Sequence, residues 1–402
     1  MTSVMEPLNQ AAVKIGRKPV VLRRYQCRCG RPVFFRNSVC LACRTPLGYE
    51  PYLAQICALE PAQGEAASES DSLWSISGST SGKLYRRCAN LVSAAACNWL
   101  VDAGDPLKFC QCCRLDRTIP DLTIADNAES WNKIEIAKRR LISSLIALGL
   151  PVKSRISEDP GQGLAFDFLR SLPGGPQVIT GHEDGVITLN IEEADDATRE
   201  RNRINLNEPY RTLLGHLRHE VGHYYWDRLI SGTRLYAGFQ DLFGDETQDY
   251  AAALQRHYNE GPPLDWRDRF VSAYASAHPW EDWAETWAHY LHIADTWDTA
   301  LSFGMDVDAG MEFDGFTADV LAHPDQSGSS TFLQFLNSWT QLTAVLNELS
   351  RAMGLADFYP FVLSQRAVAK LHFIHMAIVS PGLVADPPSE PDAETEAHIM
   401  QT

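Results

Sequence analysis

The sequence lacks any run long and apolar enough to cross a bilayer. Its longest mostly apolar stretch, Leu141 to Val152, is too short and is interrupted by Ser143 and Ser144. The N-terminus also lacks the apolar core of about 7–15 residues that marks a secretory signal. A cytoplasmic protein with no membrane partner is therefore expected. In that reducing compartment, ten cysteines point to metal binding rather than disulfides. No internal repeat of fixed period appears. Acidic residues are scarce at the start. Residues 1–45 hold Lys14, Arg17, Lys18, Arg23, Arg24, Arg28, Arg31, Arg36 and Arg44 against Glu6 alone, a net charge of +8. The whole chain carries −16, so the remainder carries −24. A basic head on an acidic body suits a nucleic-acid or protein partner at the head and argues against nucleic-acid binding by the whole surface.

The 402 residues are 45% hydrophobic and 21% charged, ordinary for a soluble globular chain of two or three domains. Composition marks the boundaries. Residues 1–24 read as a basic arm. Residues 25–48 form a first cysteine block. Residues 49–83 form a connector whose stretch 60–72 lacks large apolar groups, and 84–122 form a second cysteine block. Residues 123–382 read as mainly helical with a small sheet. The tail 383–402 is acidic, Pro-rich and expected to be disordered. Helical spacing predicts helices over 129–148, from Pro209 to about Ile230, and over 246–258, 268–277, 281–300, 333–353 and 361–379. Alternation predicts strands at 164–168 and 185–191, with a turn at 181–185 leading into the second.

Cys27, Cys29, Cys40 and Cys43 make a C-x-C…C-x-x-C set, two short chelating turns suited to tetrahedral zinc. Cys88, Cys97, Cys110 and Cys113 make a second, more widely spaced set. Neither has an evident open coordination position, so both are read as structural zinc sites. Cys57 and Cys112 are left as packing thiols.

The strongest chemical motif is His219-Glu220-Val-Gly-His223. On a helix, i and i+4 put both imidazoles on one face, able to grip one zinc ion. Glu220 projects beside them as a general base. Gly222 costs about 1 kcal/mol inside a helix and so needs a reason such as close packing. His216 shares the same stripe and is read as a neighbour of the site. A catalytic zinc wants a third protein ligand. The motif lacks the continuation that would supply a nearby histidine, since Trp226 and Leu229 stand where a Gly and a His would be. Two acidic clusters compete: Asp245 with Glu246, and Glu281 with Glu285. In the second, one turn separates the carboxylates. Glu281 is favoured as the ligand, leaving Glu285 to accept a hydrogen bond from a ligand histidine.

These residues resemble gluzincin peptidases, which pair H-E-x-x-H with a later helical Glu. Glu281-Asp-Trp-Ala-Glu285 also resembles the zinc-binding helix of the anthrax lethal factor family. There the first Glu binds zinc and a Tyr seven residues earlier serves the transition state, which implies that role for Tyr274. More widely, Arg86-Arg-Cys-Ala-Asn90, Cys97-Asn-Trp-Leu100, Arg117-Thr-Ile-Pro-Asp-Leu122, the stretch Pro209 to Trp226 and the stretch His278 to His292 resemble a bacterial family. That family joins a zinc-ribbon region to a zinc-binding metallopeptidase domain, and the likeness covers roughly residues 25–380.

The expected fold class is thus α+β, with zinc ribbons at 25–48 and 84–122 followed by a zincin-like metallopeptidase domain. The expected activity is peptide hydrolysis with three zinc ions, one catalytic on His219, His223 and Glu281 and two structural. An extended peptide would add to the edge of the strand at 185–191. Two rivals keep much of this reading. One is a ribbon binding module, for protein or nucleic acid, with a regulatory or idle zincin. The other is a zinc hydrolase of non-peptide amides.

Overall fold

The computed structural model describes residues 23–62, 72–171, 174–205, 208–305 and 314–379. The basic arm up to residue 22, most of the apolar-poor stretch (63–71) and the acidic tail lie outside the described residues. Among those described, no helix is long and apolar enough to cross a membrane.

The chain opens with a small hairpin, β1 (Tyr25–Gln26) against β2 (Pro32–Val33). Strands β3 (Leu47–Glu50), β4 (Gln55–Pro61), β5 (Trp74–Ile76), β6 (Leu84–Arg87) and β7 (Leu100–Asp102) form one antiparallel sheet in sequence order. The two cysteine blocks therefore flank a shared sheet. Asn98 binds them further, donating to the carbonyls of Phe35 and Asn37 at 2.9 and 3.0 Å.

A second sheet has the order β10-β11-β9-β8. It uses β8 (Asp116–Thr118), β9 (Ala165–Leu169), β10 (Gly181–Glu183) and β11 (Val186–Asn190). Two expectations change here. The predicted turn at 181–185 is a strand plus a two-residue turn. Asp184 and Gly185 both adopt positive φ, 46° and 75°, which lets β10 fold back antiparallel on β11. As a result the predicted peptide-accepting strand has no free edge. β11 is paired on both sides, by β10 and by β9, so the free edge nearest the motif helix belongs to β10.

Helix α1 (Ala125–Ala147) buries Trp131, Ile134, Leu141 and Leu145 at helical spacing. Gly149, with φ 73°, ends the run as the periodicity implied. Then follow α2 (Asp196–Asn205), α3 (Leu213–Leu229), α4 (Tyr236–Phe243), α5 (Tyr250–Glu260), α6 (Trp266–Arg269), α7 (Pro279–Ser302), α8 (Ser329–Ala352) and α9 (Gln365–Val379). Helix α3 starts at its Thr212 cap, whose hydroxyl accepts from the Gly215 N–H at 3.0 Å, rather than at Pro209. The helix predicted over 268–277 is broken. α6 stops at Phe270, which is extended, and a single 3-10 turn covers Tyr274–Ser276. Ser272 explains the break: its Oγ accepts from the Ala275 N–H at 3.1 Å, replacing a helical partner.

The core is built on α3 against α7. Tyr225 stacks on Trp287 with ring centroids 5.0 Å apart. Gly222 is the point of closest approach. A Cβ there would lie 3.0 Å from the Ala284 Cα and 3.3 Å from its carbonyl oxygen. Trp283 Nε1 also donates to the Gly222 carbonyl at 2.8 Å. Gly222→Ala is thus expected to destabilise by about 1–3 kcal/mol despite its better helix propensity, because the backbone of Ala284 and the Cβ of Trp287 would have to yield. Denaturant unfolding checks this, and a gain in stability would show that the two helices can part without cost.

Candidate metal centre

The motif histidines lie on α3 and the carboxylates on α7, and the Gly222–Ala284 contact fixes the register between them. One donor atom from each of His219, His223 and Glu281 falls within 4.8 Å of the others. His219 Nε2 is 3.0 Å from Glu281 Oε2, and His223 Nε2 is 3.6 Å from Glu281 Oε1. Zinc with bonds of about 2.0–2.2 Å holds tetrahedral ligands at such separations. Glu281 is 1% exposed, and its Oε2 makes no aligned hydrogen bond among the described residues, the nearby His219 Nε2 included. A buried carboxylate oxygen left this way is costly unless a cation takes it, so the donor set fits a zinc ion. Burial opposes ionisation of Glu281, but His223 and His219 outweigh it and hold the carboxyl down to about 2.

The groups behind the donors are ordered. His219 Nδ1 is 2.7 Å from Glu285 Oε1, and Ser272 donates to Glu285 Oε2 at 2.6 Å. This is the carboxylate–histidine arrangement that fixes a ligand's tautomer and ring orientation. His216 stands outside the donor cluster. It sits between Glu193 Oε2 at 2.6 Å and Glu220 Oε1 at 3.2 Å. Burial disfavours its cation, but Glu193 and Glu220 outweigh that and raise it to about 9. Burial likewise disfavours the Glu220 carboxylate, and the hydrogen bond from His216 prevails, keeping it below the ordinary carboxylate range. Asp245 and Glu246 are elsewhere engaged. Asp245 accepts from the Thr247 backbone at 2.9 Å, and Glu246 accepts from Tyr236 at 2.5 Å.

Tyr274 lies on its 3-10 turn with its ring 6.0 Å from that of His219. Burial, then Glu281, pushes its phenol well above the ordinary range, so it stays protonated. Two neighbours, Tyr250 and His182, were not anticipated, whereas Trp280 stands where a cleft-wall aromatic was expected. Tyr250 donates its hydroxyl to Glu281 Oε1 at 2.7 Å. Trp280 lies against His223 with ring centroids 3.9 Å apart. His182, on β10, is 6.4 Å from His223. Its Nε2 accepts from the Gly185 N–H at 3.0 Å, so the proton sits on Nδ1, which is buried without a partner among the described residues. Burial, then His223, lowers this imidazole to about 4 and keeps it neutral. The Gly-rich turn Gly181-His-Glu-Asp-Gly185 was the available sequence signal for His182; nothing local marks Tyr250.

The cysteines gather as two clusters, Cys27, Cys29, Cys40 and Cys43, and Cys88, Cys97, Cys110 and Cys113. Sulfur separations of 3.6 Å (Cys27–Cys43 and Cys97–Cys110) and 3.7 Å (Cys29–Cys40) suit a tetrahedral zinc with Zn–S bonds of about 2.3 Å. The Cys110 N–H points at Cys88 Sγ at 3.3 Å, a contact that favours thiolate. Cys57 and Cys112 stay outside both clusters and are buried.

Known proteins bear on this arrangement. A family model described as "Putative zinc-binding metallo-peptidase" matches residues 127–377, and a zinc-ribbon domain model matches residues 24–124. Uncharacterized proteins of Mycobacterium tuberculosis and Mycobacterium bovis are each 42% identical over 359 residues, spanning 89% of this chain and 95% of theirs. No solved structure matches. With the ribbon model covering the two cysteine clusters and the peptidase model covering the His–Glu centre, the chain belongs to the zinc-binding metallopeptidase family and carries a zinc-ribbon domain ahead of it.

Proposed function

We propose that the chain is a zinc-dependent peptidase of the zincin type, with His219, His223 and Glu281 holding the catalytic ion. The observation that carries this reading is the convergence of those three donors around a buried Glu281 carboxylate, with Glu220 one residue from His219. A zinc ion bound there supplies a Lewis acid and lowers the pKa of coordinated water towards 7. Glu220, ionised and steadied by His216, takes a proton from the attacking water and returns it to the leaving amine. Tyr274 and the Nδ1–H of His182 are neutral donors that can meet the developing oxyanion, each worth about 3–4 kcal/mol when well aimed.

An extended substrate would pair with the free edge of β10. What supports this is the position of His182 on that strand, beside both His223 and Trp280. A cleft of about 460 Å³ runs along the same strand, lined by Arg117, Arg155, Ile179, Thr180 and Thr188.

Metal analysis is the test. The wild type is expected to hold three zinc ions, two on the cysteine clusters and one at the His–Glu centre. Glu281→Ala should lose one, and Asp245→Ala none. Retention of all three in Glu281→Ala, or no cleavage of a mixed peptide library by the zinc-loaded wild type, would overturn the reading. Glu285→Ala should keep the ion but weaken its binding by about 10–100-fold, read by competition with a chelator. Unchanged affinity would show that Glu285 does not orient His219.

A further inference from the structure

The first cysteine cluster carries charge and apolar surface that peptide hydrolysis does not use. From Pro7 to Tyr49 there is no Asp or Glu, in a chain where they average about one residue in eight. Within the described part, Arg24, Arg28, Arg31, Arg36 and Arg44 are all exposed. Arg28 pairs with Glu60 at 3.0 Å, both half-exposed, whereas the other four make no ion pair with a described residue. Two large apolar side chains stand among them, Phe34 at 72% and Leu41 at 80% exposure.

The fold brings these residues together. The Cys27–Gly30 turn closes through Gly30 N–H to the Cys27 carbonyl at 2.9 Å, and the Cys40–Arg44 turn through Arg44 N–H to the Cys40 carbonyl at 2.8 Å. Because the four thiols lie within 4.8 Å of one another, the two turns sit side by side. Arg28 and Arg31 come from one, Leu41 and Arg44 from the other. The adjoining turn is pinned by the Phe34 N–H donating to Asn37 Oδ1 at 2.7 Å, and it holds Phe34 and Arg36 outward.

We propose that this ribbon is a binding surface for single-stranded nucleic acid, with phosphates on the five arginines and a base stacked on Phe34. Guanidinium forks match phosphate oxygens. An exposed aromatic face takes unpaired bases without regard to sequence. An acidic peptide would satisfy the charge but leave Phe34 and Leu41 in water. The strongly acidic remainder of the chain repels a polyanion, which confines binding to the ribbon. The inference is independent of the peptidase reading.

The test is fluorescence anisotropy with the full, zinc-loaded chain and a labelled oligothymidylate of about 20 nucleotides. Five phosphate contacts predict about a 100-fold loss of affinity between roughly 50 and 200 mM salt. A triple charge reversal, Arg31→Glu with Arg36→Glu and Arg44→Glu, should abolish binding while metal analysis still finds the zinc. Phe34→Ala should weaken binding by about 5–150-fold with the salt slope unchanged. Three results would overturn the proposal: no binding at low salt, equal binding by the triple variant, or a polyglutamate or duplex probe binding as tightly with Phe34→Ala silent.

Discussion

Glu220→Gln is expected to reduce peptide hydrolysis by about 10²–10⁴-fold or more while all three zinc ions remain bound. Glutamine has nearly the same shape, so the contact with His216 at 3.2 Å can persist. The donors His219, His223 and Glu281 are untouched, and so is the Glu285–Ser272 pair behind His219. Only the capacity to accept a proton is removed. The native carboxylate is ready for that task, because His216 keeps it ionised against the cost of its burial. Rate and metal content measured on the same preparation decide the matter. Turnover at the wild-type level would refute the base assignment, and loss of one zinc would instead make Glu220 a ligand.

Asp295→Ala is expected to destabilise the whole protein by about 3–5 kcal/mol. Asp295 sits on α7 beyond the turn that carries Glu281 and Glu285 and gathers three guanidinium groups. Arg23 lies 2.9 Å away, Arg140 2.7 Å and Arg218 2.9 Å. Arg23 and Arg218 are each 3% exposed, so removing the carboxylate strands two buried cations. Arg140 is 28% exposed and can turn to water, so Arg140→Ala should cost much less. Burial opposes ionisation of Asp295, but the three arginines outweigh it and hold its carboxyl well below the usual range. A depressed folded value means this contribution is full above the unfolded-chain value of about 3.9 and fades as pH falls towards the folded one. Urea midpoints at neutral pH measure the loss. A midpoint shifted no more than for Arg140→Ala would show that the arginines find other partners.

Much of the centre was legible because its elements are local. The i, i+4 spacing of His219 and His223 and the one-turn spacing of Glu281 and Glu285 need only a helix to become faces. Cys-x-Cys and Cys-x-x-Cys turns chelate within a few residues, so both clusters could be read from spacing. The register between α3 and α7 was half visible: Gly222 demanded a close neighbour, but nothing named Ala284. Tyr250, Ser272, Glu193 and His182 were not legible as site neighbours. Each reaches the site through tertiary closure, from 13 or more positions away along the chain from the residue it meets, and no period records that. The same limit hid the edge of the small sheet. Alternation found β9 and β11, whereas the order that makes β10 the outer strand depends on a turn whose only trace is Asp184-Gly185.

The two family matches meet near residue 125, yet the molecule is not jointed there. β8, from the ribbon segment, pairs in parallel with β9, and its Asp116 meets the fully buried Lys138 of α1. Arg23 reaches from the other end of the ribbon to Asp295, Ser143 and Ser302. Cutting the gene at the boundary that similarity suggests would therefore bare a strand edge, take from buried Lys138 one of its two carboxylate partners, leaving Glu135, and unseat the clamp on α7. The excised helical half should precipitate rather than fold as a smaller unit, and useful truncations will have to begin before Arg23.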